Sequence, residues 1–288
     1  TTDQNRIYLT LNITGQKTKR FSVKSSNLNS DIDKLVKGAS LEVLRVTDPA
    51  TLAYHYYRQG PQYFTKALKV IERSEFSSTK DRKWLLNLKG RILTSKNEYF
   101  NAFSSLIKAI KEDYEFLSAY NNLGIALYNH PSTSTDTLAV RLLSFANSID
   151  SKSTYRYSRY SLGKVYTKLG HYDSAIMSYE NATKIDPNYA LAKNNVAYVL
   201  RLMGEYDKST TIALNAMFNA TDKNKALLWS TWAESKYYLG QVDSFYYGIR
   251  KSVSLNSKTV QNYLKDEPYS CFKNDEIFNK LIGDNYEK

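Results

Sequence analysis

One spacing constrains this chain more than any other feature. Gly90 and Gly124 stand 34 residues apart, Gly170 and Gly204 do the same, and an equal step leads from Gly163 to Ala197. A fixed period of this length is the signature of one supersecondary unit repeated along the chain, each copy leaning on its neighbours to bury its apolar face.

The clearest unit runs over 156–189 and carries Leu162-Gly163, Tyr166, Gly170, Tyr172, Ala175, Tyr179, Ala182 and Pro187. Two antiparallel helices that approach closely need small residues where they cross, which Gly163, Ala175 and Ala182 supply. Leu162, Tyr166 and Tyr179 then fill the space alongside, ridges into grooves. Gly170 reaches the left-handed conformation that stops a helix without a Cβ penalty, and Pro187 closes the second helix.

The same register recurs on both sides. The unit from Ala190 has Val196-Ala197, Leu200, Gly204, Tyr206, Ala213 and Ala216, and that from Lys83 has Gly90, Leu93, Tyr99, Ala102, Leu106 and Ala109. The unit from Leu117 has Leu123-Gly124, Leu127, Ala139, Leu143 and Ala146, with a polar turn at His130–Thr135 inserted between its helices. Looser copies begin near Val46, with Leu52-Ala53, Tyr56, Gly60, Ala67 and Ile71, and near Lys225, with Trp229, Trp232-Ala233, Gly240, Phe245 and Ile249. Degenerate terminal copies are expected where only one neighbour exists.

This residue set resembles the tetratricopeptide repeat (TPR), whose characteristic places the unit at 156–189 fills throughout. The resemblance implies an all-α fold, a right-handed superhelical solenoid of about six helical hairpins. The expected units are 46–82, 83–116, 117–155, 156–189, 190–225 and 226–259. The segment from Leu41 to Tyr57, with Leu44-Arg45 and Asp48-Pro49 running into Leu52-Ala53, is similar to the start of the array in bacterial membrane-anchored tetratricopeptide proteins. That likeness implies a soluble part tethered by an anchor upstream.

The ends differ. Ile7, Leu9, Leu11 and Ile13 alternate with polar residues, the period-two pattern of a half-buried strand, and Phe21 and Val23 mark a second strand after a turn at Gly15-Gln16-Lys17. A hairpin over 1–24 is marginal alone, so it packs on the array or joins strands upstream. The Thr-Thr-Asp start without Met favours the second reading, a chain trimmed ahead of residue 1. Asp31 is expected to cap a lead-in helix within 25–45 through Leu35, Val36, Leu41 and Leu44. At the other end, within 260–288, Val260–Leu264 continues a helix, and Asp275–Ile282 is expected to be a capping helix with Ile277, Phe278, Leu281 and Ile282 inward.

Catalytic and metal chemistry find no footing in the pattern. Glycine-rich phosphate loops and nucleophile elbows are missing. His55, His130 and His171 share no ligand spacing, and Cys271 is the single cysteine, so no metal, no other cofactor and no enzymatic activity are expected. No stretch nears the roughly 18 apolar residues of a membrane span.

Binding is more legible. In the family resembled, the first helix of each hairpin lines a concave groove, and the matching places here hold Trp84, Asn87 and Arg91; Asn121, Asn122, Tyr128 and Asn129; Tyr157, Tyr160, Lys164 and Lys168; Asn194, Asn195, Tyr198 and Arg201; then Glu234, Tyr237 and Tyr238. Asparagine amides grip an extended main chain, tyrosines offer rigid contact area, and Lys and Arg attract carboxylates. The expected function is a non-catalytic scaffold holding a partner protein or peptide. A net charge of +12, from 40 Lys plus Arg against 28 Asp plus Glu, points to an acidic one. Charge reversal at Lys164, Lys168 and Arg201 is expected to abolish capture at unchanged thermal stability. A regulatory module of a membrane-anchored protein is the main alternative. RNA or single-stranded DNA binding ranks lower because no basic stripe forms. Carbohydrate binding through Tyr and Asn, and self-association of a terminal repeat, stay open, and no small-molecule substrate is expected.

Overall fold

The computed structural model describes residues 6–12, 18–24, 28–74, 82–256, 269 and 275–283. The expected turn at Gly15–Lys17, the helix at Val260–Leu264, and Cys271 lie outside them. The chain divides into two compact units, Thr1–Ala126 and Leu127–Lys288. Among the described residues no helix is long and apolar enough to cross a membrane.

The first unit opens with β1 (Arg6–Leu11) and β2 (Lys19–Lys24), an antiparallel pair whose register sets Ile7 against Val23 and Leu9 against Phe21. On α1 (Leu28–Thr47), Gly38 lies under Phe21 of β2, and Glu42 pairs with Lys19 at 2.8 Å and with Arg45 at 2.6 Å. The helix starts ahead of Asp31, so Asp31 is not its cap. That carboxylate is instead fully buried in the first turn, where the helix dipole favours it, and pairs with Lys34 at 2.9 Å.

Asp48 does cap a helix. Its side chain accepts a hydrogen bond from Thr51 N at 2.9 Å, and Pro49 opens α2 (Pro49–Arg58). A 3-10 turn at Pro61–Tyr63 leads into α3 (Phe64–Ser74). Next come α4 (Arg82–Ser95) and α5 (Tyr99–Glu112). Ala53, Ala67, Ala102 and Ala109 are wholly buried where these helices pack, and Gly90 lies directly under the Leu106 side chain. α6 (Leu117–Asn129) contains the point at which the two units divide.

The second unit continues with α7 (Ser134–Ile149), α8 (Arg156–Lys168), α9 (Tyr172–Ile185), α10 (Ala190–Leu202), α11 (Tyr206–Met217), α12 (Asp222–Tyr238), α13 (Val242–Leu255) and α14 (Glu276–Gly283). Two starts differ from expectation. α7 begins at Ser134, taking the end of the polar insertion into its first turn. α12 begins at Asp222, ahead of the boundary at 226, because Thr221 is the last extended residue and Asp222 suits a helix start.

The crossings are made as the small residues require. A Cβ on Gly163 would stand 2.6 Å from the Tyr179 ring, and Ala139, Ala175, Ala182, Ala197, Ala213 and Ala233 are wholly buried. Four first helices end alike: Gly170, Gly204 and Gly240, after α8, α10 and α12, have φ of 77°, 82° and 74°, and Asn97, with φ 61°, does the same work after α4. At each, the next N–H reaches back along the helix in the Schellman manner, as in His171 N to Tyr166 O and Glu98 N to Leu93 O, both 2.9 Å. Phe278 of α14, 2% exposed, stacks on Phe245 and Tyr269 in the core of the last hairpin, whereas Ile277, expected to face inward, is exposed.

Candidate functional site

Helical spacing puts Lys164 and Lys168 on one face of α8, Asn194, Tyr198 and Arg201 on one face of α10, and Leu227, Ser230, Thr231 and Glu234 on one face of α12. In the second unit these three first helices, with Tyr128, Tyr179 and Tyr269, line a cavity of about 460 Å³. Eight residues expected at a binding face meet here: Tyr128, Lys164, Lys168, Asn194, Asn195, Tyr198, Arg201 and Glu234. Tyr157 and Tyr160 are not in this lining. Tyr157 is 43% exposed and edges against Tyr189, and Tyr160 packs between Tyr179 and Tyr189.

Many first-helix residues are joined to a residue about one repeat away. In the first unit, Asn122 Nδ2 donates to Asn87 Oδ1 at 2.8 Å, and Arg91 donates to the Tyr57 hydroxyl at 3.1 Å with its guanidinium over that ring. In the second, Thr231 donates to Asn194 Oδ1 at 3.0 Å, Lys168 pairs with Asp136 at 2.9 Å, and Arg201 pairs with Glu234 at 2.9 Å. Hence Asn87, Asn121, Arg201 and Glu234, read from sequence as open-face positions, are all buried. First helices of adjacent repeats pack side by side, and a polar residue facing the seam must be paired there. Trp84 keeps half its surface exposed while its ring meets Phe116 edge-on.

The ionic state of the cavity follows from these pairs. Glu234 accepts from Arg201 on one oxygen and, on the other, from the Tyr269 hydroxyl at 2.6 Å and Ser230 at 3.4 Å. Tyr269 is 1% exposed, and burial together with the Glu234 charge pushes its hydroxyl well above the ordinary tyrosine value. Burial also raises Tyr128 and Tyr179. Lys164 is different: its ammonium lies over the Tyr128 ring, 4.8 Å from the centroid, with no carboxylate or hydrogen-bond acceptor beside it among the described residues. Burial alone lowers its pKa. The Nε of Arg201 is likewise buried without an acceptor.

Two of the three cations in the expected charge reversal are therefore structural. Reversing Lys168 or Arg201 would set like charges against the buried Asp136 and Glu234, so stability would not stay unchanged; Lys164 alone is free of such ties. Sequence reasoning missed Thr167, Tyr179, Leu202, Leu227, Ser230, Thr231 and Tyr269 in the lining. Reading the earlier places of the unit that starts at 226 would have given Leu227, Ser230 and Thr231, on the face that carries Glu234. Tyr269 stands outside the repeats, and no repeat pattern signals it.

Residues 163–207 match a family model described as TPR repeat. PilW, a widely conserved type IV pilus biogenesis factor, aligns in structure at 15% identity with a TM-score of 0.58, over 77% of this chain and 96% of its own. TTC0263, a thermophilic TPR protein of Thermus thermophilus, aligns at 18% identity and a TM-score of 0.55, over 66% and 98%. MamA aligns at 18% identity and a TM-score of 0.49, over 60% and 96%. No curated protein sequence matches. At such identities the first two likenesses establish fold and nothing finer.

Proposed function

We propose that this tetratricopeptide-repeat protein is a non-catalytic interaction scaffold that holds a segment of an acidic partner protein across the first helices of its second unit. One observation carries the reading. Three successive first helices each present a partly exposed tyrosine, Tyr157 on α8 at 43%, Tyr198 on α10 at 38% and Tyr238 on α12 at 40%. Exposed aromatics in series are what interfaces are enriched in, because they bring large rigid area at little entropic cost. Arg156 lies over Tyr157, and Arg201 lies over both Tyr198 and Tyr238, which holds these rings in place on the surface. The net charge of +12 favours carboxylate-bearing partners.

A photocrosslinking residue placed in vivo at position 157 or 238 tests the reading against one at Met177, which is exposed on the second helix α9. A discrete adduct is expected from 157 and 238 and not from 177. Adducts from 177 alone, or from none of the three, would refute the assignment.

A further inference from the structure

The cavity carries chemistry that a protein partner's apolar anchor would not use. Hydroxyl and amide groups reach it from Thr167, Asn194, Asn195, Thr231 and the tyrosines, while Leu202 and Leu227 are its aliphatic side chains. Pockets for drug-like or apolar anchors are lined mostly by apolar groups with few polar ones. A volume of about 460 Å³ falls within the range of small-molecule sites. Groups that both donate and accept, beside flat aromatic rings, match a polyhydroxylated body whose ring is apolar on its faces and polar around its edge.

Charge narrows the class. The carboxylates here are used up: Glu234 is held by Arg201, Tyr269 and Ser230, and Asp136 by Lys168. A ligand ammonium would find no free partner. Among the described residues Lys164 is the cation left over, partly stripped of water and without a carboxylate, and the buried Arg201 Nε is a second donor unmet there. An ammonium partly withdrawn from water gains where an anion meets it. One free charge suits one carboxylate. A phosphate dianion would call for more, and the usual supplement is absent, because Lys164, Tyr198 and Thr231 sit within helices whose N–H groups are already bonded.

We propose that this cavity is a binding site for a compact acidic sugar of the hexuronate class, its carboxylate on Lys164 and its hydroxyls on the surrounding hydroxyl and amide groups. The ligand is a free small molecule, and the cavity shares Tyr198 and Arg201 with the tyrosine-bearing face that the scaffold reading assigns to a protein.

Isothermal titration of the whole chain with glucuronate and galacturonate tests this, with glucose, glucose 6-phosphate and a short Glu-rich peptide as comparisons. Saturable binding of a uronate is expected, weaker by roughly tenfold or more for glucose and for the Lys164→Met variant, since a charge-assisted contact is lost in both. NMR of 13C-methylated lysines should show the Lys164 resonance titrating at higher pH once the uronate is bound. Lys164→Met removes an ammonium that has no ionic partner, so its fold, checked by circular dichroism, stays intact. Absence of uronate binding would overturn the proposal, as would equal binding by Lys164→Met or tighter binding of glucose 6-phosphate. Preference for the Glu-rich peptide over both uronates would also overturn it and return the cavity to the protein partner.

Discussion

Consider Gly163→Ala, a change that adds one methyl group to α8. The new Cβ would lie 2.6, 2.7 and 2.9 Å from three atoms of the Tyr179 ring, where carbon contacts ordinarily settle at about 3.5–4.0 Å. Tyr179 is 1% exposed and its hydroxyl is within 3.2 Å of Thr167 Oγ1, so the ring moves only by giving up that contact and its packing. The helices must part by about 1 Å or the ring must leave its rotamer, and overpacking of this kind costs about 3 kcal/mol at its upper end. Replacing Gly by Ala inside a helix returns about 1 kcal/mol. The net expectation is a loss of about 2 kcal/mol, read as a lower urea midpoint by circular dichroism. Repeat arrays open piecewise, so hydrogen exchange should place the loss in α8 and α9. Combining Gly163→Ala with Tyr179→Leu should recover part of it. A neutral or stabilising Gly163→Ala would refute the claim that the hairpin closes on a bare glycine.

Other perturbations separate backbone, charge and pH effects. Gly170→Ala meets no atom within 4 Å but needs φ of 77°, and should cost about 1–2 kcal/mol for conformation alone; Asn97→Gly, at φ 61°, should gain up to about 1 kcal/mol in thermal denaturation. Glu234→Gln leaves Arg201 buried and unpaired and should cost about 3 kcal/mol by urea titration, whereas the paired change with Arg201→Met should restore most of it. Burial raises the hydroxyl pKa of Tyr179, Tyr189 and Tyr269, and burial with Asp275 takes that of Tyr246 to about 12. Folded pKa values above the unfolded one mean that this stability is complete below pH 10.0 and lost as pH climbs from there towards the folded values. The melting temperature should therefore fall above pH 10.0, less steeply in Tyr179→Phe; a flat profile would contradict the burial of these rings.

The helical hairpins, their register and their crossing residues were readable from the chain alone. They depend on local rules: a period, small residues where backbones touch, and a residue tolerant of positive φ after most first helices. Asn97 shows the limit even there, since its role is visible only from its place in the period. The cavity-facing positions were half readable. Period counting located the first-helix faces, but not which residues on them face a neighbouring repeat. Asn87, Arg201 and Glu234 look like open surface in sequence and prove to be seam contacts, because pairing across a seam is set by how one repeat packs on the next. The C-terminal Tyr269 joins the cavity through a contact made 35 residues away, with Glu234. The solitary state of Lys164 is a tertiary fact of the same kind. A lysine in a sequence is merely charged; whether it has a partner is decided by the distances that packing leaves around it.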